Sequence, residues 1–331
     1  MELVCPAGSL PAFKAALNAG ANAIYVGFKD DTNARHFTGL NFNDRQAQKA
    51  LALARDSGVK LYVAINTYPQ PTGWSRWQAA VDRAVELGAD ALIIADMGLM
   101  TYVKEKYPQQ NIHLSVQGSS TNAASLKFYK EEFDIKRAVL PRVLATKQVE
   151  QLCEKSPVDL EVFGFGSLCI MVEGRCVLSS YITGESPNTC GVCSPAKHVR
   201  WEESANSRRS RLNNVLIDEY QHKENASYPT LCKGRFKVDE NTYHALEQPT
   251  SLSTLEIIPQ LARMGIKAIK IEGRQRSPAY VEQVVRVWRE ALDAFKQNGE
   301  RFSVSPQWLE QLDKVSEGQQ TSLGPYSRPW Q

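Results

Sequence analysis

Apolar runs that follow a glycine recur along the chain, and they predict buried strands that alternate with helices. The four clearest copies span residues 20–27, 58–65, 88–95 and 265–272. The glycine supplies the left-handed backbone conformation that ends a helix. A run that is apolar at successive positions is typical of a strand buried on both faces of a parallel sheet. Similar stretches predict further strands at Glu2–Cys5, Ile112–Val116, Arg137–Leu140 and Leu160–Gly164.

Segments with an apolar period of 3.6 residues lie between these strands and predict helices. Ser9 is a cap for one that runs to Ala19, and Ser277 begins another whose apolar positions recur as far as Phe295. The chain thus alternates about eight strands with helices, seven before residue 165 and one near 266–272. This α/β pattern predicts a TIM-type barrel, whose regularity the sequence leaves open. A doubly wound open sheet is the alternative, without the G-x-G-x-x-G of a dinucleotide site.

Residues 166–250 interrupt the alternation. They contain five cysteines and many Ser, Asn, Arg and Lys residues, so we expect a cysteine-rich insertion before the last β/α unit. We predict one barrel domain over residues 1–298, with this insertion inside it. The remaining residues, 299–331, are polar with a few prolines and aromatics, and we interpret them as a tail that packs on the barrel or on a partner.

Composition narrows the class of protein. The 331 residues carry a formal net charge of only +3, which is too weak to argue for nucleic acid by itself. We expect no transmembrane segment, because no apolar stretch approaches about 18 residues. Residues 1–6 do not resemble the start of a secretory signal, so we expect a cytoplasmic protein. Clustered cysteines in such a protein more often bind metal or do redox chemistry than form disulfides.

The seven cysteines divide into two groups. Cys5 and Cys153 lie in apolar segments and are interpreted as inert core thiols. The other five are Cys169, Cys176, Cys190, Cys193 and Cys232. Four thiolates can hold either a structural Zn²⁺ or an iron–sulfur cluster. A single C-x-x-C pair with the other cysteines standing apart favours a cluster over a zinc ribbon, and structural cysteines without metal stay an open alternative.

Polar residues mark the ends of the predicted strands, where the chemistry of a β/α barrel is found. They are Asn33, Arg35, Asn66, Thr67, Asp96, Gln117, Arg142, Lys270, Glu272 and Arg274. Because strand residues alternate between faces, we expect Lys270, Glu272 and Arg274 to project to one side. Arg35, Arg142 and Arg274 can each clamp a carboxylate, and the alternative for any one of them is a surface ion pair.

Three blocks resemble the collagenase-like peptidase family, of U32 type. Residues Glu161–Ser179 match its pattern E-x-F-x-x-G-x-[aliphatic]-C, four residues, then G-x-C-x-[aliphatic]-S. Residues 270–280 resemble K-I-E-G-R-x-x-S-x-x-Y, and a third likeness is Asn33-Ala34-Arg35 with Asn41-Phe42. The resemblance extends to about residue 298.

The resemblance implies a [4Fe–4S] cluster as cofactor and metal site. On matching positions its ligands are Cys169, Cys176, Cys193 and Cys232. Relatives show a G-x-C-x-x-x-C-R block where residues 188–194 of this chain are one residue shorter and end in Ser194. The second cysteine of that block is the family's ligand, so Cys193 is preferred over Cys190, although the spacing alone leaves the pair open.

Within the family, the order of blocks and the length are most similar to an iron–sulfur subunit that works with UbiV in ubiquinone synthesis. This implies an oxygen-independent hydroxylase that is active as a heterodimer with UbiV. Its substrate would be the aromatic ring of a polyprenylated ubiquinone precursor, and its oxygen donor prephenate, a dicarboxylate. That donor agrees with the arginines at the strand ends. The predicted catalytic residues are Arg35, Lys270, Glu272 and Arg274.

Three other functions stay open. Other family members hydroxylate RNA bases, but they look longer, and the basic stretch at 199–213 resembles a solvated loop; we therefore expect no stable nucleic-acid partner. A non-catalytic scaffold is the second alternative, with a cluster that only stabilises the fold or senses oxygen. A peptidase is least favoured, because the chain has no G-x-S-x-G elbow and its five histidines are dispersed.

Overall fold

The structure is a computed structural model that describes residues 1–36, 39–173, 175–187 and 192–328. Its strands are β1 (Glu2–Pro6), β2 (Ala23–Val26), β3 (Lys60–Ile65), β4 (Ala91–Ile94), β5 (Ile112–Leu114), β6 (Arg137–Val139), β7 (Asp159–Ser167), β8 (Val199–Glu203), β9 (Ser207–Leu212), β10 (Val215–Gln221), β11 (Phe236–Val238), β12 (Asn241–Tyr243), β13 (Ser251–Ser253), β14 (Ala268–Ile271) and β15 (Thr321–Ser322). Strands β1 to β7 pair in parallel in chain order, and β14 closes the ring between β7 and β1. The predicted TIM-type barrel is therefore confirmed, and the open sheet was the wrong alternative.

Helices follow the barrel strands as the apolar periodicity predicts. They are α1 (Leu10–Asn18), α2 (Asp44–Asp56), α3 (Trp74–Leu87), α4 (Met97–Lys106), α5 (Ala123–Phe133), α6 (Thr146–Lys155), α7 (Val177–Thr183), α8 (Ile258–Arg263), α9 (Pro278–Asn298) and α10 (Pro306–Asp313). The predicted caps Ser9 and Ser277 accept hydrogen bonds from the amides of Ala12 and Tyr280. Gly88 ends α3 with φ 87°, in the left-handed region. No described helix is both long and apolar enough to cross a membrane.

Two apolar regions hold the barrel together. The larger lies between the strands and the surrounding helices, and it contains Trp288 of α9, which is fully buried. Gly164 permits this packing, because a Cβ there would lie 2.4 Å from Ile269 Cγ2. The smaller region fills the inside of the barrel with residues such as Tyr25 and Tyr62. The inside of the barrel is therefore separate from the outer core. The charged side chains described below lie inside the barrel.

The residues between β7 and β14 form structure outside the closed barrel. Strands β8, β9 and β10 make a three-stranded antiparallel sheet, and β11 and β12 make a hairpin. Strand β13 returns to the barrel by pairing antiparallel with the end of β7, where Ser251 lies opposite Ser167. The boundaries that the sequence suggests, an insertion at 166–250 and a division at residue 298, stay predictions.

The polar C-terminal residues pack against the barrel as far as residue 328. Strand β15 pairs with β13, and Leu312 of α10 and Tyr326 are buried. The hydroxyl of Thr146 donates to the Tyr326 carbonyl at 2.6 Å. The segment therefore covers the barrel on the side of α6 and β13, close to the end of β7.

Candidate functional site

A cavity of about 70 Å³ opens at the carboxyl ends of the barrel strands. Its polar lining consists of Tyr25, Arg35, Asn66, Ser115, Gln117, Arg142, Glu173, Lys270, Glu272 and Arg274. All four residues predicted to be catalytic, Arg35, Lys270, Glu272 and Arg274, thus lie on one wall. The volume is room for on the order of five water molecules, so the cavity can admit one end of a small ligand.

Glu272 is the anionic centre of this wall. Its carboxylate accepts a hydrogen bond from Arg35 at 3.3 Å and another from Arg142. Arg142 is held rigidly, because it also binds Glu173 through two nitrogens, at 2.8 and 2.7 Å. Burial acts to raise the pKa of Glu272, but Arg142 and Arg35 outweigh it and lower the pKa to about 2. Glu272 is therefore ionised at neutral pH.

Arg274 is a buried cation that pairs with no carboxylate in the described part of the chain. It is 6% exposed, and its guanidinium donates to Asn33 Oδ1 at 3.1 Å. Among the described residues no carboxylate lies within 4.0 Å of it. Burial lowers its pKa to about 10, which leaves it charged at neutral pH. An uncompensated buried charge is costly, so this position favours an anionic ligand.

Lys270 reaches deeper into the barrel. Its ammonium lies 2.7 Å from a carboxylate oxygen of Glu161, which is 1% exposed. Arg137 also binds Glu161, at 3.1 Å, and binds Glu2 at 2.9 Å. Burial lowers the pKa of Lys270, although the Glu161 charge opposes that shift. Below the cavity, therefore, lies a buried ionic network.

The lining carries more positive than negative charge. Four cationic side chains and two carboxylates line the cavity, a surplus of two positive charges. Gln117 adds an amide oxygen that is buried without a hydrogen-bond partner in the described structure. Even with Lys270 paired to Glu161, the lining favours an anionic ligand.

Three of the polar residues expected at the strand ends do not line the cavity. Asn33 supports Arg274, as described above. Thr67 donates to the Asp31 carbonyl and accepts from the Trp77 indole. Asp96 caps α4 by accepting from the Leu99 amide. Both Thr67 and Asp96 therefore serve local structure.

Sequence reasoning missed four residues of the site: Tyr25, Arg137, Glu161 and Glu173. The signal for Glu161 and Arg137 was a charge in an apolar strand run, since both residues are buried in the barrel. Glu173 stands inside the motif that begins at Glu161. Its role depends on Arg142, which lies 31 residues earlier in the chain.

The cysteines predicted as ligands lie beside the cavity. Cys169 follows β7, and the Arg142 and Glu173 charges both reach its thiol. The charge of Arg35 lowers the pKa of the Cys193 thiol, and the charge of Glu272 raises it. Charged residues of the cavity wall thus act electrostatically on both thiols.

Backbone contacts place the other two cysteines in the same region. The Cys176 thiol caps α7 by accepting from the Ser179 amide at 3.4 Å. The Ser179 hydroxyl in turn donates to the Cys193 carbonyl. Cys232 lies in the short 3-10 helix Leu231–Lys233, which packs against α7.

The four thiols have the chemistry of a metal-binding set. Each is free, and burial raises the pKa of Cys169 and of Cys232 to about 12. Cys193 is exposed as a residue, yet desolvation of its thiol raises its pKa also. A metal would displace these protons and turn the four groups into thiolates. The nearby cations Arg35, Arg142 and Lys233 would offset the negative charge.

The thiols are not arranged around one metal position in the described part of the chain. In the described ranges, no three His, Cys, Asp or Glu side chains are arranged to hold a metal ion. The [4Fe–4S] cluster and its ligand set therefore stay predictions. Cys190 lies outside the described residues, so the preference for Cys193 stays a prediction as well.

The other two described cysteines, Cys5 and Cys153, do not belong to the predicted ligand set. Cys5 in β1 is fully buried, and burial raises its pKa strongly. Burial also raises the pKa of Cys153 to about 11. Cys5 lies in the outer apolar core and Cys153 packs against it, which agrees with the interpretation of both as inert core thiols.

Known proteins are similar in sequence to this chain along most of its length. The profile of the family described as Peptidase family U32 matches residues 8–326. The tRNA hydroxylation protein P1 of Bacillus subtilis (strain 168) is 30% identical over 318 residues, which cover 95% of this chain and 68% of that protein. The tRNA hydroxylation protein P of Escherichia coli (strain K12) is 30% identical over 314 residues, covering 88% and 68%. A collagenase of Porphyromonas gingivalis (strain ATCC BAA-308 / W83) is 29% identical over 325 residues, covering 95% and 70%.

Proposed function

This chain belongs to peptidase family U32, and from that premise we propose that it is the iron–sulfur subunit of an oxygen-independent hydroxylase. Its substrate is the aromatic ring of a polyprenylated ubiquinone precursor, its oxygen donor is prephenate, and its partner subunit is UbiV. Relatives named for hydroxylation support the reaction class. The charge of the site supports an anionic oxygen donor, and its cysteines support an iron–sulfur cluster.

The observation that carries the proposal is the position of the cationic cavity next to the four cysteines. The arginines of the lining suit the two carboxylates of prephenate, while the fourth cation, Lys270, is paired with Glu161. Arg35 and Arg142, on the cavity wall, influence the thiols of Cys193 and Cys169. An oxygen donor bound by the arginines would therefore lie beside the metal site.

Different residues of the cavity wall bind different carboxylates of the donor. Arg274 has no carboxylate partner among the described residues, so it takes one carboxylate of the donor with little competition. Arg35 is more exposed and its contact with Glu272 is long, at 3.3 Å, so it can turn to the second carboxylate. Arg142 and Glu272 hold their positions as a rigid base. When bound by Cys169, Cys176, Cys193 and Cys232, a [4Fe–4S] cluster supplies one-electron transfer.

The surface around the cysteines suits an apolar substrate and a second subunit. Val172, Val177 and Tyr181 are 54%, 70% and 89% exposed, and they lie in the stretch that contains Cys169 and Cys176. The cavity is too small for a ring with a polyprenyl tail. The ring therefore meets the cavity from outside, on a surface that UbiV completes.

The direct test follows the oxygen atom. The chain and UbiV are purified without oxygen and given a ubiquinone precursor and prephenate labelled with oxygen-18 in its ring hydroxyl. We expect the label in the hydroxylated product, and no product when UbiV is omitted. An unlabelled product would refute prephenate as the donor, and a product without UbiV would refute the heterodimer.

A second candidate, tRNA hydroxylation, is favoured by the names of two relatives. The strands that carry the basic stretch argue against it, because three of their four arginines are paired with acids: Arg208 with Glu203, Arg209 with Glu219 and Arg211 with Glu202, at 2.8–3.1 Å. This surface offers few free charges to phosphates. Mass spectrometry of tRNA nucleosides from a deletion strain distinguishes the two candidates. Loss of a hydroxylated base that returns when the gene is restored would favour tRNA hydroxylation.

A further inference from the structure

Lys270 combines burial, access to the cavity and an ionic partner. Its Nζ lies 4.1 Å from the centre of the Tyr25 ring, and Arg274 Cζ lies 5.7 Å from the same ring. Both side chains line the cavity. A ligand that enters therefore meets an amine and a guanidinium over one aromatic face.

The neighbouring charges do not require Lys270 as a structural counter-ion. Glu161 already binds Arg137, and Glu2 binds both Arg137 and Lys60. With Lys270, three cations serve two carboxylates in this network. A buried lysine that exceeds the local need for positive charge, and that faces a cavity, is available for chemistry.

We propose that Lys270 forms an imine with the ketone of a 2-oxo acid whose carboxylate is held by Arg274. Ketone and carboxylate are adjacent in this class of ligand, so one molecule can engage both groups. The inference rests on the proposed function, because prephenate is itself a 2-oxo acid. The imine would fix that end of the donor inside the cavity and leave its ring at the open mouth.

Burial lowers the pKa of Lys270, which increases the share of the neutral amine that attacks a ketone. Glu161 acts as the proton carrier, since its oxygen lies 2.7 Å from Nζ. Arg137 stays bound to Glu161 throughout. The lysine is thus held ready without a further base.

The step balances in atoms and charge. The ammonium gives a proton to Glu161, and the amine attacks the ketone carbon to form a carbinolamine. Glu161 returns its proton to the carbinolamine hydroxyl, which leaves as water while the C=N bond forms. The product is a protonated imine, so the positive charge beside Glu161 is preserved and nothing is oxidised or reduced.

Reductive trapping tests the inference on the full chain, purified without oxygen and with its metal retained. Phenylpyruvate is the probe, cyanoborohydride the reductant, and phenyllactate, which lacks the ketone, the control. We expect the chain mass to rise by that of the acid less one oxygen atom. Trypsin does not cleave at a modified lysine, so the adduct should lie on the peptide between Lys267 and Arg274, residues 268–274.

Variants separate this lysine from the others. Lys270→Arg should abolish the adduct, and Lys136→Arg, at an exposed lysine paired with Asp134, should keep it. If Lys270→Arg does not fold, the location of the adduct in the unmodified chain still decides. An adduct confined to other lysines, or no adduct at all, overturns the inference.

Failure of the imine and failure of the proposed function give different results. If labelled prephenate transfers its oxygen while neither prephenate nor phenylpyruvate leaves an adduct on Lys270, the imine is refuted and the hydroxylase stands. If phenylpyruvate labels Lys270 while prephenate and UbiV yield no hydroxylated product, the imine stands and the hydroxylase is refuted.

Discussion

Lys233 and Glu317 form a buried ion pair that joins the C-terminal segment to the cysteine region. Lys233 is 5% exposed and follows Cys232 directly. Its ammonium also donates to the Ser167 hydroxyl at 3.0 Å, and that hydroxyl donates to Glu317 at 2.8 Å. Ser167 lies two residues before Cys169. One carboxylate of the C-terminal segment thus holds the chain next to two of the predicted metal ligands.

Glu317→Gln should therefore loosen the cysteine region as well as the fold. Loss of one partner from a buried ion pair leaves the other charge unsatisfied, and since Glu317 is partly exposed we expect a cost of about 2 kcal/mol in the free energy of unfolding. Iron should also be lost faster to a chelator. Urea unfolding and chelator kinetics measure the two effects.

Glu310→Gln is the matched control for this change. Glu310 pairs with Lys314 on the exposed face of α10, where an ion pair contributes less than about 1 kcal/mol. This variant should retain the stability and the iron of the unmodified chain. Equal effects of the two changes would contradict the role assigned to Glu317.

The assignment of four cysteine ligands predicts how the metal content changes when each cysteine is replaced in turn. Protein purified without oxygen should hold about four iron and four sulfide per chain. Alanine at Cys169, Cys176, Cys193 or Cys232 should reduce that content strongly, because a thiolate is lost from the set. Mössbauer spectra and chemical analysis of iron, sulfide and zinc provide the measurement.

Two controls accompany the cysteine series. Cys153 lies on α6 and is not a predicted ligand. Cys153→Ala should therefore leave the iron content unchanged. Cys190→Ala should also retain iron if Cys193 is the ligand of that pair. Zinc without sulfide would contradict the cluster, and loss of iron in Cys190→Ala with retention in Cys193→Ala would reverse the assignment.

The barrel could be predicted because each of its strands carries a local signature. A glycine such as Gly88 must adopt a positive φ to end its helix, and the apolar run after it must be buried. Both requirements act within a few residues of the chain. The expectation that Lys270, Glu272 and Arg274 share one side comes from the alternation of a strand. All three do line the cavity, but β14 ends at Ile271, so alternation accounts for Lys270 and not for the two residues that follow the strand.

The partners of those side chains could not be predicted in this way. Glu161 meets Lys270 only because β7 and β14 pair with Lys270 opposite Phe163, a register that closes the barrel across 109 residues. Lys233 and Glu317 are separated by 84 residues. Such contacts depend on the tertiary fold, which leaves no local trace in the sequence.

Arg274 should dominate the binding of the oxygen donor. Arg274→Ala removes a buried guanidinium that has no carboxylate partner in the described residues. A charge-assisted hydrogen bond contributes about 1.5–3 kcal/mol, so the Kd for prephenate should rise roughly 10- to 100-fold. Calorimetry without oxygen measures it.

Arg276→Ala tests whether the affinity for prephenate depends on the position of the arginine or only on its positive charge. Arg276 lies on the same loop but is 46% exposed, over the Tyr280 ring. It should retain the affinity of the unmodified chain. Equal weakening by both changes would show that prephenate responds to overall charge and not to a clamp in the cavity.

His113 should make the fold sensitive to mild acid. Its ring lies inside the barrel, 4.8 Å from the Tyr62 ring, and burial lowers its pKa to about 3, with the Arg137 charge adding to that effect. The unfolded chain binds the proton near pH 6.5 and the folded chain does not. Stability is therefore complete above about pH 6.5 and falls as the pH drops towards 3.

From pH 6.5 to pH 5 this one group should lower the free energy of unfolding by about 2 kcal/mol. His113→Phe keeps an aromatic ring against Tyr62 and removes the titration, so its stability should change less over that interval. His222→Gln, at an exposed histidine, should retain the slope of the unmodified chain. Urea unfolding of the three proteins at pH 6.5, 5.75 and 5 measures the slopes. If His113→Phe keeps the full slope, the acid sensitivity comes from other groups, such as the loss of thiolate–metal bonds, and the neutral state of His113 inside the barrel contributes nothing to it.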